Sequence, residues 1–189
     1  TEEYEYNIRR WSERLCDGLS FNDIEKEYCQ QEEKLGRTCS IEELQIIKQN
    51  LDVIKRKLSL CDSESRELMM GAVAAASTAE SMVSALNAAG WDITTVENND
   101  ERDPITMKGD DGAGNEVAVV ISSGGESPSV SWYIDDDDSV QKEMKEEALR
   151  NELCDCGIGT VYTERDIKNC ERINSADDFV DKTMTDSLI

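Results

Sequence analysis

Residues 90–138 read GWDITTVENNDERDPITMKGDDGAGNEVAVVISSGGESPSVSWYIDDDD, and within them the rhythm of the chain turns from helical to alternating. Trp91, Ile93 and Thr95 alternate with Asp92, Thr94 and Val96, the period of two expected of a strand with one buried face. Ile105 and Met107 mark a second strand. Residues 110–115 (DDGAGN) have the composition of a hairpin turn. Residues 116–122 follow, with Val117, Ala118, Val119, Val120 and Ile121 in succession. A strand apolar on both sides is expected to be central in the sheet or covered by a helix. Val130, Trp132 and Ile134 then alternate with Ser131 and Tyr133 as a fourth strand. Runs of helices followed by a β-meander argue an α+β fold, not a parallel α/β sheet.

Helical patterns flank this meander. Residues 63–89 are Ala-rich, with Leu68, Val73, Met82, Val83 and Leu86 as larger apolar side chains, and Gly90 closes the segment. Residues 139–154 predict a helix whose buried face is Val140, Met144, Ala148, Leu149 and Leu153, stopped by Gly157. Residues 158–162 suggest a short strand, and residues 163–189 read as partly helical and then frayed.

Upstream, Tyr4, Ile8, Trp11 and Leu15 share one face of a helix over residues 2–15. A second helix is expected over 22–35, with Ile24, Tyr28 and Leu35 on one side and Gly36 as its stop. Ser40 and Glu43 make a capping box: the hydroxyl accepts from a free backbone N–H, and the carboxylate reaches back. Beyond it Leu44, Ile47, Leu51, Ile54, Leu58 and Cys61 recur at steps of three and four, which fits a helical hairpin or a short coiled coil. The expected class is α+β: an N-terminal helical hairpin or bundle followed by a small antiparallel β-meander flanked by helices. The expected organisation is a helical region 1–62, an α+β domain 63–165 and a tail 166–189.

Charge narrows the function. The 189 residues hold 20 Lys and Arg against 42 Asp and Glu, a net charge of −22. Residues 1–60 hold 10 basic and 13 acidic side chains, a net of −3, so the remaining −19 lies in residues 61–189. Such a field repels nucleic-acid phosphates and anionic membranes and attracts a basic protein surface. No 18-residue apolar run and no signal peptide are read in the sequence, so no membrane span is expected. Seven scattered Cys make a poor disulfide framework and suggest reduced thiols in the cytoplasm.

Catalytic signals are thin. The absence of His removes the commonest general base and zinc ligand. The DDGAGN turn lacks the ligand spacing of an EF-hand loop. Cys154 and Cys156 form a single pair, where structural zinc sites use two. Neither a catalytic residue, a metal site nor a cofactor is therefore expected. The expected function is a non-enzymatic interaction or adaptor protein, with homo-oligomerisation as one mode. The alternatives are an acidic inhibitor or nucleic-acid mimic, and a carboxylate- or metal-dependent enzyme. The residues expected to meet a partner are Asp135, Asp136, Asp137 and Asp138 beside Trp132 and Tyr133. The expected helical interface is Leu44, Ile47, Leu51, Ile54 and Leu58.

Overall fold

A computed structural model describes residues 2–37, 40–123, 127–135, 138–156 and 175–187. The chain is an α+β protein with helices α1 (Glu2–Ser12), α2 (Phe21–Arg37) and α3 (Ile41–Ala88), strands β1 (Asp92–Glu97), β2 (Ile105–Asp110), β3 (Glu116–Ser122) and β4 (Ser129–Asp135), and helices α4 (Ser139–Asp155) and α5 (Ala176–Ser187). It divides into two compact units, Thr1–Met70 and Gly71–Ile189, with the division inside α3.

The capping box forms as expected. Ser40 Oγ accepts from Glu43 N at 3.2 Å, and Ser40 N donates to Glu43 Oε2 at 3.3 Å. From there α3 continues without interruption, so the helices expected over 41–61 and 63–89 are one. Neither Asp62 nor Ser63 breaks a helix when good helix formers flank them on both sides. Helix α2 likewise carries through Gly36 to Arg37.

In the first unit α2 and α3 run antiparallel. Asn50 Nδ2 donates to Gln31 Oε1 at 3.0 Å, and Lys57 Nζ donates to Glu27 Oε1 at 2.6 Å. Helix α1 ends at Ser12, whose hydroxyl donates to Arg9 O and accepts from Phe21 N, both at 2.9 Å. That one side chain ties the end of α1 to the start of α2. The turn between them passes through Gly18 at φ +80°, a conformation that favours glycine. Ile8, Leu19, Ile24, Ile54 and Cys61 form the core, with Leu15, Phe21 and Leu51 packed at its edge.

In the second unit the sheet order is β1-β2-β3-β4, every pair antiparallel. One face carries Met107, Val117, Val119, Ile121 and Ile134 against Ala75, Ala79, Met82, Ala85 and Leu86 of α3 and Leu149 and Leu153 of α4. The other face carries Ala118 and Val120 against Ala176 and Phe179 of α5. Strand β3 is covered on both faces, as its unbroken apolar run requires. Each large side chain buried here contributes about 1.5–3 kcal/mol relative to exposure. Gly109 allows β1 to approach β2: a Cβ there would stand 2.5 Å from Asp92 O and 2.9 Å from Ile93 Cδ1.

Two expectations are corrected. Val140 and Met144 are 63% and 61% exposed, and only Leu149 and Leu153 of the expected α4 face are buried. At about 100° of rotation per residue, Val140 and Leu149 stand on opposite sides of the helix, so they cannot share one buried face. In addition, α3 contains an 18-residue stretch long and apolar enough to cross a membrane by length and composition, 28% of it buried. Its apolar character matches the packing of Ala75, Ala79, Met82, Ala85 and Leu86 on the sheet. The strand expected at 158–162 lies outside the described residues.

Candidate functional site

The acidic run after β4 divides into separate roles. Asp138 is the N-cap of α4, and its Oδ1 accepts from Val140 N at 2.9 Å and Gln141 N at 3.4 Å. A carboxylate there also meets the positive end of the helix dipole. Asp135 is half-buried at the end of β4 and accepts from the Tyr133 hydroxyl at 3.4 Å. Asp136 and Asp137 lie outside the described residues.

Trp132 and Tyr133 point to opposite faces of the sheet and are both half-buried. Trp132 packs on the α3 and α4 side. Tyr133 packs on the α5 side, its ring stacked on Phe179 with centroids 5.8 Å apart and Lys142 Nζ 4.9 Å from its centroid. Each aromatic fastens a helix to the sheet, and the two do not share a recognition face. Among the described residues, no group of three or more Cys, Asp or Glu side chains is placed to hold a metal ion. Cys154 and Cys156 are free and exposed at the end of α4.

Most of the stripe read on α3 turns inward. Ile47 and Ile54 are 5% and 7% exposed, and Leu51 packs against the cluster that holds Ile54. Cys61 is fully buried, and that burial pushes its thiol pKa up. Leu44 and Leu58 remain 46% and 42% exposed at the margin. Leu58 joins Tyr4, Ile8 and Phe21 in an open groove of about 760 Å³.

A second row on α3 was not singled out from the sequence. Glu42, Ile46, Gln49, Val53, Arg56 and Leu60 also recur at steps of four and three, and all six are exposed. Its apolar members are Ile46 at 57%, Val53 at 48% and Leu60 at 48% exposure, one per heptad. Ile46 borders a groove of about 470 Å³ between the end of α2 and the start of α3, with Arg37, Lys34 and Glu33 on its α2 side. In the sequence the row shows only as a spacing of seven, beside a stripe with apolar residues at twice that frequency. Comparison with known proteins finds no match among family models, curated proteins or solved structures.

Proposed function

We propose that this chain is a non-enzymatic protein-interaction or adaptor protein that docks through its helical unit. One observation carries the reading: the exposed row Ile46, Val53 and Leu60 on α3. Isolated exposed apolar side chains are ordinary, but three aligned at heptad spacing supply one of the two apolar positions per heptad of a helix–helix seam, with Glu42, Gln49 and Arg56 at the other. The strongly acidic residues 61–189 favour a basic surface as a further contact and disfavour nucleic acid and anionic membranes. Five free thiols among the described cysteines suit a reducing, cytoplasmic setting.

Val53→Glu tests this. The position is exposed, so helical content and melting temperature stay close to those of the unaltered chain, while association through the row is lost. A Val53→Glu chain that keeps all its associations would contradict the reading.

A further inference from the structure

We infer that the occupant of the exposed α3 row is the same row of a second copy, laid antiparallel, a proposal that rests on the interaction reading above. Charge is distributed unevenly along the row. Glu42 stands at its N-terminal end and Arg56 near its C-terminal end, with Gln49 midway. Both Glu42 and Arg56 are exposed, and neither has an ion-pair partner among the described residues. Around a two-fold axis beside Gln49, Glu42 of one copy meets Arg56 of the other, and the reverse pair forms by symmetry. In the same register Ile46 comes within one residue of Val53 of the copy, so apolar meets apolar. A parallel pairing instead sets Glu42 against Glu42 and Arg56 against Arg56, which is repulsive. The sequence of charges therefore selects both the partner and the orientation, the self-complementarity that an isologous two-fold contact requires.

Net charge supports this location. Two chains of −22 repel each other, yet residues 1–60 carry only −3, so the helical unit is where copies approach at least cost. The contact is modest. In this register residues 41–57 of the two helices overlap, with Ile46 and Val53 as the apolar anchors of each copy and Leu60 beyond the overlap, so the dissociation constant falls in the range of about 1–100 µM.

The test uses the full chain in light scattering and sedimentation equilibrium over that concentration range. The unaltered protein is expected to pass from monomer to dimer. Glu42→Lys alone, and Arg56→Glu alone, each weaken the dimer by about tenfold. The combined E42K/R56E chain regains the original affinity, because the pair is restored in reverse. Circular dichroism confirms that each variant keeps its helices. A chain that remains monomeric at the highest concentration, or a double variant as weak as the single ones, overturns the antiparallel self-contact. A monomer whose Val53 binds a different protein refutes only the self-contact, and a monomer with no association at Val53 refutes the interaction reading too.

Discussion

Lys145 on α4 reaches back to Asp111 in the β2–β3 turn at 2.7 Å, and its ammonium stands 5.2 Å from the centroid of the Trp91 ring. Asp111 Oδ1 also accepts from Ala113 N at 2.9 Å and Asn115 N at 3.1 Å. One carboxylate thereby shapes the hairpin turn and pins a helix to it. The sequence motif DDGAGN, which superficially resembles a calcium loop, is occupied by contacts within the protein.

Those contacts, Lys145 first and Asn115 second, hold the Asp111 carboxyl well below its ordinary range. A carboxyl depressed in the folded state contributes stability that is present above its unfolded pKa, near 4, and is lost as pH falls toward the folded value. Asp111→Asn is therefore expected to melt lower than the unaltered chain at pH 7 and to lose less on going from pH 4 to pH 2. Thermal melts followed by circular dichroism across that interval check it. Parallel pH curves for the two chains would show that Asp111 carries no such linkage.

Gly109→Ala is expected to destabilise the second unit by about 1–3 kcal/mol, because the added Cβ meets β1 backbone that cannot turn away. Hydrogen exchange would show β1 amides losing protection first. A variant with an unchanged denaturant midpoint would contradict the close approach.

Adjacent residues on α3 are expected to differ sharply. Ile54 is 7% exposed in the first core, so Ile54→Ala costs about 2–5 kcal/mol. Val53 is 48% exposed, so Val53→Ala shifts monomer stability by about 0.5 kcal/mol or less. Chemical denaturation at a concentration below the dimer range compares the two. Equal losses at both positions would contradict the assignment of inward and outward rows.

Phe179→Ala is expected to release α5 while the other face of the sheet stays packed. Phe179 is 5% exposed against Ala118, Val120 and Tyr133, and these contacts are separate from the α3 and α4 core. Faster amide exchange across residues 176–184, with the Met82 and Leu86 region still protected, is the expected pattern.

The meander was legible because alternation from Trp91 to Ile134 is a strong signal and the turns are rich in Gly, Asp and Asn. The α5 packing was not, because Ala176, Phe179 and Val180 are too few and too close to the end of the chain to show a period. The sequence shows two helical patterns that meet near residue 62, one rich in Leu and Ile and one rich in Ala, and the change of composition hides that they are one helix. On α3 the sequence shows two rows of heptad spacing. Which of them faces inward depends on where α1 and α2 pack, and a one-dimensional pattern does not carry that. Within the acidic segment the N-cap role of Asp138 and the packing of Trp132 and Tyr133 on opposite sides of the sheet depend on where α3, α4 and α5 lie, which the run of charges does not show.

The most direct measurement places a photo-reactive side chain at position 53 in the full protein inside its native cells, with position 48, also exposed but about 140° around the helix, as the control. The mass of any adduct is then read. One discrete product with the mass of two copies is expected at position 53, and none at position 48. Equal diffuse labelling at both positions, or no adduct at position 53, would contradict the claim that this face of α3 is an interface.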